Sequence, residues 1–256
     1  MMKFAVSSLF IGLSLLSTSP ALAHGADDPR VSLEAEVQAN LQAGDKISFG
    51  FQLFDEVNKK AISDQDLQLS NTQKIHLIVY DASLKEFNHV HPSFDGKVWN
   101  SELSLHVNGA YFIWAQGQLN DGTEFSASYR TQVEGGNPAL PVVDLGDHRK
   151  ASDGVTVVEL QNQKLVAGQM TMLNYKVTRT DGIDPVITPY LGVAAHIIAV
   201  SPDGDELIHA HPMAASNATS GMIHITFPTE GDYRIWVQLL DHNELKTVPL
   251  SVAVVK

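Results

Sequence analysis

The chain has 256 residues, no cysteine and a formal net charge of −12 at pH 7. This acidic balance disfavours nucleic acid and anionic membrane surfaces as partners. Without cysteine there is no disulfide framework and no thiolate ligand, so a soft metal would have to be held by histidine or methionine.

Residues 1–23 have the layout of a secretory signal peptide. Lys3 precedes an apolar run over residues 4–16, and an A-x-A-like cleavage signal ends at Ala23. The run is shorter than the roughly 20 residues that a spanning helix needs. We therefore expect an exported chain, periplasmic or secreted, with no membrane span after cleavage. It would begin at His24, whose free amine and imidazole together would form a chelating unit. The sequence leaves open whether that unit binds metal.

The rest of the chain contains an internal duplication. Three segments recur in the same order about 120 residues later: 74–81 as 194–201, 87–92 as 207–212, and 109–116 as 231–238. A Gly/Pro-rich segment, residues 135–141, lies between the copies and is typical of a linker. We predict two domains, residues 24–134 and 142–256.

Each copy reads as a series of strands. Residues 46–54 and 103–107 alternate apolar and polar side chains, turn signals punctuate them, and no segment sustains a helical period. The pattern predicts an all-β protein of two tandem immunoglobulin-like β-sandwich domains. Tyr111 and Tyr233 fit tyrosine corners, and Trp114 and Trp236 are expected as core anchors.

Both copies carry the same histidine pattern, H-x₁₂-H-x-H, formed by His76, His89 and His91 and by His196, His209 and His211. A turn at residues 201–206 would centre a hairpin that places His196 opposite His211. His209 lies two residues from His211 and therefore points to the same face. The first copy repeats this arrangement around residues 82–85. Three imidazoles should thus project from one side of one hairpin per domain.

Three neutral imidazoles suit copper, zinc or nickel, and the general affinity order favours copper. Water, a substrate or the sulfur of Met213 or Met222 would complete the site in the second copy. Two other interpretations stay open: the histidines could hydrogen-bond a loop or cap the hairpin, or they could sense pH.

The segment that runs from His-Leu-Ile-Val through a hairpin to His-Val-His-Pro, followed by Gly-x-Tyr, resembles the exported YtkA-like β-sandwich domains. The resemblance covers about residues 74–116 and 194–238. Such domains often accompany bacterial copper resistance and efflux systems. The resemblance therefore implies that the six histidines are metal ligands and that a metal-efflux or metal-delivery protein is the partner.

The leading hypothesis is a periplasmic protein that binds copper in two open, surface-mounted three-histidine sites and sequesters or transfers the ion. An exported interaction module without metal is the first alternative. A three-histidine metalloenzyme is the second, although no acid or nucleophile occurs at matched positions in both copies, so we expect no enzyme. The oligomeric state stays open.

Overall fold

The computed structural model describes residues 30–36, 40–161, 163–213, 215 and 217–256. The expected signal peptide and His24 lie outside these residues. Among the described residues, no helix is long and apolar enough to cross a lipid bilayer.

The first domain is built from strands and one 3-10 helix, Asp64–Asp66. Its strands are β1 (Val31–Ala35), β2 (Asn40–Gln42), β3 (Gly44–Asp55), β4 (Lys60–Ala61), β5 (Leu67–Gln68), β6 (Ile75–Asp81), β7 (Phe87–Val90), β8 (Ser93–Phe94), β9 (Trp99–Leu105), β10 (Gly109–Leu119) and β11 (Glu124–Glu134).

The second domain is also built from strands. They are β12 (Lys150–Asp153), β13 (Thr156–Leu160), β14 (Leu165–Val166), β15 (Met170–Arg179), β16 (Ile187–Thr188), β17 (His196–Val200), β18 (Leu207–Ala210), β19 (Ser220–Thr226), β20 (Gly231–Asp241) and β21 (Glu244–Val255).

Each domain is a sandwich of two sheets, and the sheet that carries the histidines has the same topology in both domains. In the first domain β1-β3-β9-β8 form one sheet and β2-β11-β10-β6-β7 the other; in the second, β12-β13-β15-β19 face β14-β21-β20-β17-β18. In both, a short strand pairs parallel to the last strand, β2 with β11 and β14 with β21. Two antiparallel sheets connected in this way are the immunoglobulin-like arrangement, which confirms the predicted fold class.

Strand β6 explains how the two domains meet. All seven of its residues are buried, which is typical of a strand covered on both faces. Leu77 and Val79 pack into the core of the first sandwich. Ile78 and Tyr80 point the other way, into a hydrophobic cluster that also contains Ile198 and Val200 of the second domain. The β2-β11-β10-β6-β7 sheet therefore packs its outer face against the equivalent sheet of the second domain.

Tyr80 also makes a polar contact across this interface. The hydroxyl of Tyr80 donates to the carbonyl of Gly204 at 3.0 Å, and the indole N–H of Trp114 donates to the Tyr80 oxygen at 2.8 Å. Leu145, in the segment between β11 and β12, packs into the same cluster. The Tyr80 hydroxyl is thus satisfied across the domain boundary, and the Trp114 indole is satisfied within the first domain.

The prediction for the aromatic residues was right for the tyrosines and wrong for the tryptophans. The hydroxyls of Tyr111 and Tyr233 accept backbone N–H groups four residues upstream, both at 3.3 Å, as a tyrosine corner requires. Trp114 and Trp236 are buried in the interdomain cluster and not in a sandwich core. The reason is the alternation of side chains: each Trp lies three positions after its Tyr, and residues an odd number of positions apart on a strand face opposite sides.

Candidate metal centre

The register of the two hairpins confirms the predicted placement of the histidines. His89 pairs with Ile78 in the first domain, and His209 pairs with Ile198 in the second. One step beyond the last hydrogen-bonded pair of each ladder, His76 lies opposite His91 and His196 lies opposite His211. Directly opposed residues share a face of a sheet, so each domain presents three imidazoles on one side of one hairpin.

That side is the one that packs on the other domain, and the two sets of histidines therefore meet. Between the domains the ring centroids lie 4.8 Å apart for His76 and His209, 5.3 Å for His89 and His196, and 5.8 Å for His76 and His196. Within the domains, the rings of His91 and His211 adjoin those of His76 and His196 at 5.0 and 4.7 Å. The structure joins all six residues in one contiguous cluster.

The expectation of two open, surface-mounted sites is therefore wrong. His76 and His196 are 2% and 0% exposed, and His89 is 7% exposed. One ring nitrogen from each of four histidines, His76, His89, His196 and His209, lies within 4.8 Å of the other three. These four residues, which we call the central quartet, could hold one metal ion with ligands from both domains.

Backbone carbonyls outside the cluster orient two of these rings. The Nε2–H of His76 donates to Ser70 O at 3.2 Å, and that of His196 donates to Tyr190 O at 3.1 Å. Both carbonyls belong to tight loops, residues 70–73 and 190–193, each closed by an antiparallel bridge. With the proton on Nε2, a neutral imidazole keeps a lone pair on Nδ1. The Nδ1 atoms of both rings point into the cluster.

A glutamine of the opposite domain orients His89. Its Nδ1–H donates to Gln238 Oε1 at 2.9 Å, and Gln238 Nε2 in turn donates to Thr247 Oγ1 at 3.0 Å. The Nε2 atom of His89 therefore carries the lone pair that faces the cluster. Metal-bound histidines commonly have such outer partners, which set the tautomer and the ring orientation.

Gln116 holds the matching position in the first domain. Its Nε2 donates to Ser126 Oγ at 3.1 Å, but its Oε1 is buried without a hydrogen-bond partner. We did not single out either glutamine from the sequence. The signal was available, because both end the matched segments 109–116 and 231–238.

The inward nitrogens face each other at distances that fit a shared cation. His76 Nδ1 lies 3.0 Å from His89 Nε2, and on the tautomers above both atoms present lone pairs. His196 Nδ1 lies 3.1 Å from the Nε2 atoms of both His209 and His211. The single lone pair of His196 Nδ1 can accept a full-strength hydrogen bond from only one of these two nitrogens. Metal–nitrogen bonds of 2.0–2.1 Å place neighbouring ligands of a tetrahedral ion about 3.3 Å apart. A cation among these nitrogens would replace repulsion by coordination.

Burial keeps the imidazoles neutral, which is the form that binds metal. Desolvation is the largest cause that lowers the pKa of every histidine in the cluster. The pKa of His91 falls to about 4 and that of His211 to about 3. At neutral pH none of these rings therefore competes for a proton.

The two ends of the cluster differ. The side-chain amide nitrogen of Asn71, from the first domain, lies 3.0 Å from Nδ1 and 3.1 Å from Nε2 of His211 and donates to that ring. Leu191 stands at the matching position of the second repeat and offers no donor. At the other end, His91 Nε2 is buried without a partner.

Met213 and Met222 do not complete this centre. They form an isolated antiparallel bridge with each other, and Met222 lies on β19, in the sheet on the other side of the sandwich from the histidines. Met213 is 47% exposed, whereas the centre is buried.

The chain shows weak similarity to several solved structures. Fibronectin(III)-like modules of Clostridium thermocellum CbhA are 13% identical over 88% of this chain and 94% of theirs, with a TM-score of 0.26. The D00-D0 domain of intimin is 12% identical over 88% and 100%, with a TM-score of 0.25. Likeness at this level carries no functional information. No curated protein matches the chain.

Sequence families give a firmer result. The chain matches the family described as "Domain of unknown function (DUF8832)" over residues 25–135 and again over 150–256. This match does not support the YtkA-like identity, since a short His-x-His-Pro element at the end of a sandwich hairpin does not specify a family. Because the two matches cover most of the sequence, the chain belongs to the family DUF8832, of which it contains two tandem copies.

Proposed function

We propose that this protein is an exported metal-binding protein that holds a copper ion between its two domains. One observation carries the proposal: the inward-facing nitrogens of the buried, neutral His76 and His89 lie 3.0 Å apart, and the outer nitrogens of both rings donate their protons to the Ser70 carbonyl and the Gln238 amide oxygen. A hydrogen-bonded cluster would alternate donors and acceptors, whereas a metal site needs lone pairs that converge.

The donor set favours copper. For nitrogen ligands the affinity order of divalent ions rises to copper and falls at zinc. The central quartet offers four imidazoles and no carboxylate, so the hard ions magnesium and calcium are poor occupants. Zinc and nickel accept the same ligands and are the competitors to test.

The position of the centre favours holding and handing on an ion over catalysis. An ion enclosed by four imidazoles has no open position for a substrate. Because both domains supply ligands, the ion also ties the domains together, and its release requires them to separate. We propose slow exchange through a partner protein that binds the opened form, in the periplasm or outside the cell.

The test is a metal titration of the chain from residue 24 onward, stripped with a chelator. We expect one ion per chain in the centre, with Cu(II) bound more tightly than Zn(II) or Ni(II). The double variant H76A/H196A removes one ligand from each domain and should abolish this binding. The control is H106A, an exposed histidine paired with Asp45, which should bind like the wild type.

Equal affinity of the wild type and H76A/H196A would overturn the proposal and favour a metal-free interaction module. Turnover of a hydrolytic or oxidative substrate by the loaded protein would favour the metalloenzyme. Determination of the N-terminal residue of the protein isolated from its producing cell tests export. A protein that keeps residues 1–23 would contradict it.

A further inference from the structure

A second feature suited to metal binding lies on the opposite side of the second domain. The chain has six methionines, two of them at residues 1 and 2. The other four are Met170 and Met172 on β15, Met222 on β19, and Met213, which bridges to Met222.

The strand register brings these side chains to one outward face. Met172 pairs directly with His224, and Met170 pairs with Thr226. Their neighbours Leu173 and Ile223 are buried in the sandwich core, so the alternation turns the methionines toward solvent. Met213 lies opposite Met222 on the far edge of β19.

The spacing suits a common ligand. Directly opposed residues have Cβ atoms about 4.5–5.5 Å apart, and diagonal neighbours about 7–8 Å. Met172 opposes His224 and is diagonal to Met222, which opposes Met213. Methionine side chains are long and flexible. Three thioethers and one imidazole can therefore converge over β19.

A purely structural role does not explain these residues. Methionine usually fills gaps in cores, yet Met170, Met172 and Met213 are 60%, 53% and 47% exposed. The Nε2 atom of His224, at the centre of the patch, is buried without a hydrogen-bond partner. Because this nitrogen has no hydrogen-bond partner, its lone pair is available to a metal ion.

We propose that Met172, Met213, Met222 and His224 form a surface site for Cu(I). Thioether sulfur is a soft, neutral donor that selects Cu(I) over zinc and the hard divalent ions. The chain has no cysteine, so thioethers supply its only sulfur ligands. This site is accessible to solvent, whereas the interdomain centre is closed. Met213 follows His211 by two residues, so one short segment joins the two sites.

The experiment uses the chain with H76A/H196A, so that the interdomain centre is silent. Under anaerobic, reducing conditions, Cu(I) is titrated against a chromophoric Cu(I) chelator. We expect one bound equivalent, and at least a tenfold loss of affinity in the added variant M172L/M213L/M222L. Leucine keeps the apolar volume, and circular dichroism confirms that the variant is folded. M170L is the matched control, since Met170 faces Thr226 and lies outside the four residues.

A second readout identifies the ligands. Ag(I), a diamagnetic ion with the same preference for sulfur, should shift the methyl resonances of Met172, Met213 and Met222, and Zn(II) should leave them in place. The triple leucine variant binding Cu(I) as tightly as its parent, or Ag(I) leaving the methyl resonances unmoved, would overturn the proposal. Neither result bears on Cu(II) binding by the central quartet.

Discussion

Replacing Gln238 by leucine removes the oxygen that accepts the Nδ1–H of His89 at 2.9 Å. Gln238 is 4% exposed, so water does not replace the lost acceptor. A buried donor left without a partner costs about 1–3 kcal/mol. For a chain of this length each kcal/mol lowers the melting temperature by about 2–4 °C. We expect the His89 proton to move to Nε2, where His76 Nδ1 at 3.0 Å can accept it, so the metal-free protein should lose less stability than an unpartnered donor would cost.

The same substitution should weaken metal binding. With its proton on Nε2, His89 no longer presents a lone pair to His76, and the ion loses a preorganised ligand. Loss of an outer partner typically costs 10–100-fold in metal affinity. That factor corresponds to about 1.4–2.8 kcal/mol.

Gln116→Leu is the internal control. It also loses a donated hydrogen bond, from Gln116 Nε2 to Ser126 Oγ, but its Oε1 has no partner to lose. Urea unfolding gives the stabilities, a copper titration gives the affinities, and ¹⁵N chemical shifts of the imidazoles report the tautomers. Equal effects of the two substitutions, with an unchanged His89 tautomer, would refute the assigned role of Gln238.

The remaining predictions concern pH and the domain interface. Burial lowers the pKa of all six clustered histidines below the unfolded value of about 6.5. As pH falls, the unfolded chain therefore binds protons before the folded one does, and the metal-free protein should lose stability from pH 6.5 toward 4. Urea unfolding at several pH values measures this loss. A stability that does not change with pH would contradict the burial of neutral imidazoles. Trp236→Ala should cost about 3–5 kcal/mol and weaken metal binding, because Trp236 packs in the interdomain cluster. Trp99→Ala, in the core of the first sandwich, should cost as much in stability while the folded fraction keeps its metal affinity; equal losses of affinity would contradict the division of the two clusters.

Much of the local structure was determined by the sequence. In an antiparallel hairpin the sum of paired residue numbers is constant, so the turn after β17 determined that Ile198 pairs with His209. Strand alternation then decided which side chains share a face. The same rule also assigned Trp114 to the face opposite Tyr111, a consequence that our expectation of a core anchor overlooked.

Only the tertiary structure decided what covers the histidine faces. The alternation of side chains along a hairpin is the same whether its outer face packs on a second domain or exposes aromatic residues to solvent. In both cases the inner face needs apolar side chains. The packing of Ile78 and Tyr80 against Ile198 and Val200 turns two three-histidine faces into one closed cluster. The periodicity of side chains along a strand does not reveal that one sheet packs on another, because the free energy of this packing comes from residues more than 100 positions apart in the sequence.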